Sequence, residues 1–597
     1  MNFFKTLIAS ILGVFLALGL ILIILVITIS SSTQEPEPYI RDNTVLKIEM
    51  RGSLPAQTDS NPLDQIFDQD SNEKVSLETL KENLTKARHH DNIKGVWLRI
   101  DHMSSSWAHL EEARRLIRTF RDSSDKFIYA STNDLGLNEK GYFLATAADS
   151  VFSPPETFFE FDGFYTQVTF YDGLFEKLGI KTEITRHGKY KGAVEPYYRK
   201  EMSEENEYQL TQLLNQVNET FVTAVSEKTG RSIRELNALM NDQPQMTSQF
   251  AYDEQLVDSL LYPGQVEDYI RQRIGLKEDD SFKTVSNARY AKVSASSAGL
   301  ENGSAEDKIV VIYANGPIMP DINSDSPFGN QQVITSTFFE KQLEEVREDE
   351  DVKALVIRVN SPGGAGSTSD LIWKQINGIK SNMPVIVSMG GVAASGGYYI
   401  SMAADSIVAE PTTITGSIGV FSTKFNTKQF FNDKLGLTFD GVKTHKHADW
   451  LVQNRGMSPT EEKAFQQFVD NFYQAFIQKV AQSRNMDVTL VDSLAQGRVW
   501  TGADAQENGL VDVLGGMDKA LTIAADEAGI TDYKLEKYPK SKSFYELVMS
   551  STATKAKAWL NNGWLSSMIG VEEIPQQLML LKQRFPLALF PFQITVE

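Results

Sequence analysis

The strongest constraint on the fold of this chain is that its sequence is written twice. The segment "YFLATAADSVFSPP" from Tyr142 matches "YYISMAADSIVAEP" from Tyr398, an offset of 256 residues. The strand-like run "IKGVWLRI" from Ile93 likewise matches "VKALVIRV" from Val352. Further segments recur in the same order. Because the period is far longer than the 20–50 residues of repeat arrays, the pattern predicts a duplicated domain.

Each copy alternates β-rich runs with amphipathic stretches of helical period, as in "VITSTFFEKQLEEVREDEDVKALVIRV" from Val333. This alternation predicts an α/β fold with a largely parallel sheet. The whole chain, at 597 residues, is too long for one hydrophobic core. We predict a first repeat at 45–280, a polar linker at 281–307 and a second repeat at 308–540. A C-terminal extension at 541–597 has no counterpart in the first half.

The N-terminus carries an unbroken apolar run without charge at residues 7–29. At about 1.5 Å per residue, a helix of this length spans a bilayer core of about 30 Å. The run exceeds the roughly 7–15 apolar residues of a cleaved signal peptide, which favours one uncleaved transmembrane helix. Lys5 precedes it and acidic residues follow it. The positive-inside rule therefore predicts that residues 1–6 are cytoplasmic and that the chain after the helix lies outside the cytoplasm. Residues 30–44 are predicted to form a spacer between the helix and the first repeat.

The composition excludes several functional classes. The net charge of −20, without a long Lys/Arg cluster, argues against nucleic acid as a partner. The absence of cysteine excludes disulfides, thiolate metal sites, iron–sulfur clusters and cysteine nucleophiles. His445 and His447 alternate as on one face of a strand, which suits either a metal or a solvated loop. We predict no metal and no cofactor.

The two copies differ where chemistry would need an open backbone. The second copy reads "RVNSPGGAGST" from Arg358, and the first reads "RIDHMSSSWAH" from Arg99. Gly363 and Gly364 lack Cβ atoms, so the backbone there can turn tightly and present N–H groups to a ligand. The first copy has no glycine in that stretch, which indicates that only the second copy keeps this feature.

Ser395, in "MGGVAASGGYYI", is a candidate nucleophile of the second copy. Alignment of the "AADS" blocks places Glu139 opposite it in the first copy. We predict that Ser395 lies where a strand gives way to a helix beginning near Gly396. A hydroxyl there would feel the positive end of the helix dipole, and the N–H of Gly396 can help to stabilise an oxyanion. A general base is missing from the neighbouring sequence.

The first copy holds a residue that the second copy lacks, and this residue is the candidate for the base. The first copy holds Lys191 in "GKYKGAVEP", and an ungapped alignment places Ala448 opposite it. A serine in a Gly/Ala-rich turn is commonly structural, and a lysine in a polar stretch is commonly a solvated surface charge. Their complementary losses across a duplication favour a different interpretation, in which the base lies in the other copy.

These motifs, together with "PTTITGSIGV" from Pro411, resemble the long, duplicated form of the signal peptide peptidase A family, also called protease IV. The resemblance implies two tandem Clp-protease/crotonase-like domains and a membrane-anchored serine endopeptidase. It implies Ser395 as nucleophile and Lys191 as general base, with Lys189 as the second choice. It also assigns two oxyanion-hole donors and a hydroxyl near the lysine amine: Gly364, Gly396 and Ser417.

The resemblance also implies partners and a location. We expect a homotetramer in the bacterial inner membrane, with its catalytic domains on the periplasmic side. Cleaved signal peptides and other apolar peptides would be its substrates. The base must be neutral, so Lys191 should be buried and activity should favour alkaline pH. Two alternatives remain, namely a crotonase-like acyl-CoA enzyme and a membrane-anchored scaffold with a decayed site.

Overall fold

A computed structural model describes residues 13, 37–57, 75–133, 135–242, 247–277, 280–300, 305–321, 333–539 and 587–589. The predicted transmembrane helix at 7–29 lies outside these residues except for Gly13, and so does most of the predicted extension. Within the described ranges, every helix is too short or too polar to cross a bilayer.

The first sheet is built from residues before the second repeat, and its strands are all parallel, as predicted. In spatial order it contains β6 (Ser259–Leu260), β4 (Ser150–Ser153), β3 (Phe127–Ser131), β2 (Ile93–Met103), β1 (Thr44–Gly52) and β7 (Lys283–Ser286). Strand β7 falls inside the segment predicted as a linker. Its pairing with β1 extends the first sheet beyond residue 280.

The second sheet repeats this arrangement with strands of the second half. Its main path contains β15 (Val499–Thr501), β13 (Ile414–Gly416), β11 (Val385–Ala394), β9 (Val352–Ser361), β8 (Lys308–Asn315) and β17 (Lys534–Tyr538). Off this path, β12 (Ser406–Ala409) pairs with β11 and with β16 (Val513–Leu514). The pairs are parallel except for the antiparallel pair of β13 and β15.

A third, antiparallel sheet joins the two halves. Its order is β10 (Gly363–Ala365), β18 (Leu587–Leu589), β14 (Val420–Asn426) and β5 (Lys181–His187). Strand β5 comes from the first repeat, β10 and β14 come from the second, and β18 comes from the extension. Because every pair in this sheet links segments far apart in sequence, local periodicity did not predict it.

Helices connect the strands of both halves. In the first half they are α1 (Leu77–His89), α2 (Trp107–Asp122), α3 (Glu139–Ala145), α4 (Asp172–Leu178), α5 (Glu204–Thr229), α6 (Ile233–Asp242), α7 (Ser248–Asp253), α8 (Pro263–Arg273) and α9 (Asn287–Ala291). In the second half they are α10 (Ser336–Glu348), α11 (Gly366–Lys380), α12 (Gly396–Ser401), α13 (Pro459–Arg484), α14 (Val488–Leu494), α15 (Gly502–Glu507) and α16 (Met517–Ala528). Gly192–Tyr197 forms a 3-10 helix, and Phe430–Lys434 forms a π-helical turn.

Side-chain caps fix the starts of the helices that border the site. Ser203 caps α5 by accepting a hydrogen bond from the backbone N–H of Asn206. At α13, which has Pro459 at its first position, Glu461 Oε2 accepts a hydrogen bond from the backbone N–H of Ser458 at 2.8 Å. These contacts satisfy N–H groups that a helix leaves unpaired at its start. The two longest described helices, α5 and α13, therefore begin at defined residues.

Apolar and ionic contacts hold the halves together. Leu210 and Leu213 of α5 pack in one buried cluster with Ala394 and Val499 of the second repeat. Helix α2 of the first repeat also reaches the second sheet, where Glu112 pairs with Arg358 at 2.6 Å between Oε2 and Nη2. Both groups are almost completely buried, so the contact between the repeats is a packed core rather than a hinged surface.

Candidate active site

Ser395 lies in the one-residue turn between β11 and α12, as the sequence predicts. Its φ is 57° and its ψ is −111°, a conformation that a residue with a side chain rarely adopts. Strain of this kind costs about 1–3 kcal/mol and persists where the surroundings fix it. Here the Ser395 N–H donates to the Gly416 carbonyl at 2.8 Å, and the Tyr399 N–H donates to the Ser395 carbonyl at 2.8 Å. The strained turn therefore fixes the direction of the Ser395 side chain.

Glycines allow neighbouring segments to approach this turn closely. A Cβ on Gly397 would lie 2.5 Å from the carbonyl oxygen of Ser361, at the end of β9. A Cβ on Gly364 would lie 1.9 Å from the carbonyl oxygen of Ile318. Gly396 is the buried first residue of α12. The glycine-rich segments singled out in the sequence thus form a closely packed backbone framework around Ser395.

Lys191 reaches Ser395 from the first repeat. It lies in the turn between β5 and the 3-10 helix, and its Nζ is 2.8 Å from Ser395 Oγ. The same Nζ donates to the carbonyl oxygen of Ser417 at 2.9 Å and lies 2.9 Å from Ser417 Oγ. The structure therefore brings together Ser395, Lys191 and Ser417, three residues predicted from sequence.

The aliphatic stem of Lys191 runs past two glycines of the second repeat. A Cβ on Gly497, whose φ is +77°, would lie 2.7 Å from the Cβ of Lys191. A Cβ on Gly419 would lie 3.3 Å from the Cδ of Lys191. Any larger residue at 497 would displace the lysine. These glycines were not identified as site residues from the sequence, because a single glycine in a turn is common.

Burial controls the charge of Lys191. Its side chain is 1 % exposed. Removal from water disfavours the ammonium form, so burial lowers the pKa of Lys191 well below its usual range. In the described part of the chain, the polar partners of Nζ are hydroxyl and carbonyl oxygens of Ser395 and Ser417, and no carboxylate contacts it. The site thus favours a neutral amine next to the serine hydroxyl.

Lys189, the second candidate for the base, lies elsewhere. Its side chain is exposed, and its Nζ lies 5.1 Å from the centre of the Tyr190 ring. The two lysines are two residues apart, yet only Lys191 contacts Ser395. Of the two candidates, geometry therefore selects Lys191.

An antiparallel ladder between the repeats carries Lys191 to this position. Seven residue pairs join β5 to β14, from His187 opposite Val420 to Lys181 opposite Asn426. A buried ion pair between Glu183 and Lys424, at 2.9 Å, lies within the ladder. Strand β14 belongs to the second repeat, and β5 leads directly into the lysine-bearing turn. The ladder therefore fixes this turn against the repeat that holds Ser395.

The C-terminal extension contributes a strand that lies next to β10, the glycine strand. Strand β18 pairs antiparallel with β10, with Ala588 opposite Gly364 and Leu587 opposite Ala365. Its other edge meets β14, where Leu587 is opposite Phe421. Residues 587–589 therefore fill the position between the glycine strand and β14. The sequence did not predict this contact, because the extension has no counterpart in the first repeat.

Comparisons with known proteins identify the family of the chain. Residues 121–277 and 378–531 match peptidase family S49, and residues 330–413 match the Clp protease family. The chain is 35% identical over 545 residues to the chloroplastic serine protease SPPA of Arabidopsis thaliana, covering 91% of this chain and 76% of that protein. It is 32% identical over 496 residues to Protease 4 of Salmonella typhi, covering 81% of this chain and 77% of that protein.

Among solved structures, the 1510-N membrane protease specific for a stomatin homolog from Pyrococcus horikoshii shares 16% identity. The similarity covers 41% of this chain and 98% of that one, with a TM-score of 0.25. The two S49 matches fall on the two halves of the duplication, one on each copy. With these matches covering more than half of the chain, the protein belongs to peptidase family S49 and is a serine protease.

Proposed function

We propose that the protein is a membrane-anchored endopeptidase that degrades cleaved signal peptides with a Ser/Lys dyad of Ser395 and Lys191. The observation that carries this proposal is the contact of 2.8 Å between Lys191 Nζ and Ser395 Oγ in a buried site. A neutral amine at this distance can accept the hydroxyl proton, which an ammonium group cannot do.

The reaction would proceed in two steps. Ser395 Oγ attacks the peptide carbonyl carbon while its proton passes to Lys191 Nζ. The Lys191 ammonium then gives this proton to the amine nitrogen as the peptide C–N bond breaks. The amine departs, and the acyl group remains bound to Ser395 as an acyl-enzyme. Water then attacks the acyl carbon while its proton passes to Lys191 Nζ. The bond from the acyl carbon to Ser395 Oγ breaks, and the Lys191 ammonium returns the proton to Oγ, which restores both residues. The N–H groups of Gly364 and Gly396 are the candidates for stabilising the oxyanion in each step.

Ser417 supports the base in this mechanism. Its hydroxyl and carbonyl oxygens both contact Lys191 Nζ, so the amine is held on one side while its remaining position faces Ser395 Oγ. Two fixed contacts reduce the rotation of a long side chain, and this orientation increases the fraction of time in which the lone pair faces the hydroxyl. We assign Ser417 to orientation of the base.

The substrate class and location rest on the resemblance to the signal peptide peptidase A family and on the apolar run at residues 7–29. Apolar peptides released in a membrane are concentrated near a bilayer, where an anchored protease would meet them. A buried apolar cluster with Val194, Met319 and Phe421 packs next to the lysine-bearing turn and helps to keep water away from it. The bacterial inner membrane, periplasmic catalytic domains and a homotetramer complete the proposal.

Cleavage of a synthetic signal peptide by the purified, detergent-solubilised full chain tests this function. Ser395→Ala and Lys191→Ala should abolish cleavage, and Lys189→Ala should retain it. Each variant is first checked for folding and assembly. A serine-reactive acylating probe should label the wild type and not Ser395→Ala. Full activity in Lys191→Ala would place the base elsewhere, and lack of labelling and cleavage in the wild type would favour the scaffold alternative.

A further inference from the structure

A buried amide on α5, Gln209, touches both halves of the site. Its Nε2 donates to the carbonyl oxygen of Tyr190 at 3.1 Å, and its Oε1 accepts from the backbone N–H of Val499 at 3.1 Å. Its Nε2 also donates to Asn206 Oδ1 at 2.9 Å. One side chain thus joins a backbone group of the first repeat to a backbone group of the second.

On the first-repeat side, Gln209 holds the residue that precedes Lys191. The N–H of Tyr190 donates to the Gln496 carbonyl at 2.9 Å, and its carbonyl also accepts from the Gly192 N–H at 2.7 Å. Tyr190 is therefore fixed through both of its backbone polar groups. Because Lys191 is the next residue, the position of Tyr190 sets where the lysine side chain begins.

On the second-repeat side, Gln209 holds a strand that supports the serine. Val499 in β15 is opposite Gly416 in β13. The Gly416 carbonyl accepts the hydrogen bond from the Ser395 N–H. The preceding residue, Arg498, accepts at its carbonyl from the Ser417 N–H at 2.6 Å. Only one strand pair therefore separates Gln209 from the turn that holds Ser395.

A second set of buried groups holds Gln209 itself. Asn206 lies one helical turn earlier on α5, and its Nδ2 donates to Glu195 Oε2 at 3.2 Å. Glu195 also accepts from the N–H of Ser203 at 3.1 Å and from its hydroxyl. A Cβ on Gly192, next to Lys191, would lie only 2.5 Å from Asn206 Oδ1. The whole group is buried, where satisfied polar networks fix geometry strongly.

We propose that Gln209 is a positioning residue that sets the separation between the Lys191 turn and the Ser395 turn. The proposal rests on the proposed Ser/Lys dyad. Glutamine suits this place because its amide supplies a donor and an acceptor at the required reach. Methionine has a similar length and neither group. Asparagine has both groups on a side chain shorter by one methylene, so it cannot reach both repeats in the same way.

The test uses Gln209→Met and Gln209→Asn in the full-length protein, with Gln216→Met as the matched control. Gln216 lies two turns later on α5, is half-buried, and donates to Thr220 of the same helix. Cleavage of a synthetic apolar peptide is measured from neutral to alkaline pH. For Gln209→Met, we expect kcat to fall by about 10- to 100-fold, as for a misplaced catalytic group, with KM within about threefold.

The pH profile separates positioning from general stability. A loosened Lys191 turn admits water, so the pKa of Lys191 rises toward its ordinary value. The acid limb of the kcat profile should therefore move to higher pH in Gln209→Met, less in Gln209→Asn, and not at all in Gln216→Met. If Gln209→Met does not fold, the shift in Gln209→Asn decides the question.

Two results would overturn the proposal. One is a folded Gln209→Met protein with wild-type kcat and acid limb. The other is a lower kcat with an unmoved acid limb, which a merely structural role explains. Both differ from failure of the dyad itself, because that failure appears as activity in Ser395→Ala or Lys191→Ala with residue 209 unchanged.

Discussion

The two repeats use the same order of elements and diverge at the two positions that meet in the site. In the second repeat, the strand-to-helix turn is Ser395, with positive φ and a side chain directed at Lys191. In the first repeat, Asn138 caps the corresponding helix and the buried Glu139 begins it. Lys191 is buried in the first repeat, whereas Ala448, aligned opposite it, lies in an exposed turn of the second.

This difference shows that the repeats are no longer equivalent halves. Each has lost the group that the other keeps, so neither repeat alone contains both the serine and the lysine. The β5–β14 ladder then has a specific purpose, because it joins a strand of the lysine-bearing repeat to one of the serine-bearing repeat. The comparison predicts that substitutions at aligned positions have very different effects in the two copies.

The largest difference should separate the two lysines. Lys191→Met keeps the aliphatic length and removes the amine, so the proposed base is lost. We expect peptide cleavage to fall by at least about 10³-fold, within the range for removal of a positioned general base. Lys189→Met, at the exposed neighbour, should stay within about twofold of the wild type, as for surface substitutions. Steady-state cleavage of one peptide by both variants makes the measurement.

The pH dependence of the wild type sharpens this prediction. Burial lowers the pKa of Lys191 from its usual value of 10.5, and only the neutral amine accepts the serine proton. The rate should therefore rise with pH through this lowered pKa and be low where the lysine is protonated. A rate that peaks at mildly acidic pH and falls toward neutrality would contradict a lysine base.

The next difference concerns stability at two aligned arginines. Arg358 is 1 % exposed and pairs with Glu112 of the other repeat, whereas Arg99 is 21 % exposed and pairs with Glu49 of its own repeat. Arg358→Met leaves a buried carboxylate unpaired and should lower the free energy of unfolding by about 3–5 kcal/mol. Arg99→Met should cost no more than about 1 kcal/mol.

Urea denaturation of both arginine variants measures this contrast. If the two variants lose equal stability, the contact between the repeats is not the buried structure described above. Restoration of stability by a second substitution, Glu112→Leu, in the Arg358→Met background would show that the unpaired charge caused the loss.

Much of the fold and the two principal site residues were predicted from the sequence, for physical reasons. The alternation of strand and helix patterns reports local burial, so it predicted two α/β repeats with parallel strands. Differences between aligned copies singled out Ser395 and Lys191, which lie in contact. The catalytic roles of these residues, and of Gly364 and Gly396, stay predictions.

The remaining features depend on contacts that a local pattern does not encode. Strand β5 pairs with β14 across the repeats, and a period of two does not name the partner strand. Gln209 lies in an amphipathic helix, where a glutamine is typically a solvated polar residue. Strand β7 lies in a segment rich in polar residues, and only its pairing with β1 identifies it as part of the sheet.

A third, smaller difference concerns Glu139, the counterpart of Ser395. Burial raises the pKa of Glu139 from 4.5 to about 7. The folded protein thus holds a proton that the unfolded chain releases, so this group stabilises the fold at low pH and the contribution is lost as pH rises toward 7. Glu139→Gln removes the titration and keeps an acceptor for the Asp162 N–H.

Thermal unfolding at pH 5 and pH 8 tests this point. The variant should match the wild type at pH 5 and be more stable at pH 8, by no more than roughly 3 kcal/mol for a shift of this size. Peptide cleavage should be unchanged, because Glu139 is not in the proposed dyad. Equal stability of the two proteins at both values of pH would show that Glu139 is not buried as a neutral acid.

The smallest expected effect concerns β18, which has no equivalent in the first repeat. This strand pairs with one edge of the glycine strand β10. We expect an extended substrate to add to that same edge as a β-strand, so β18 should compete with added substrate. Ala588→Pro removes a backbone N–H and is incompatible with a paired inner strand, whereas Ala588→Val keeps the N–H and favours a strand. Loss of a backbone hydrogen bond worth about 1 kcal/mol would raise kcat/KM for a short peptide about fivefold in the proline variant. The valine variant should stay near the wild type.

A synthetic peptide spanning residues 583–593 should inhibit the proline variant competitively. If proline leaves kcat/KM unchanged and the peptide does not inhibit, then β18 does not occupy the position of the substrate.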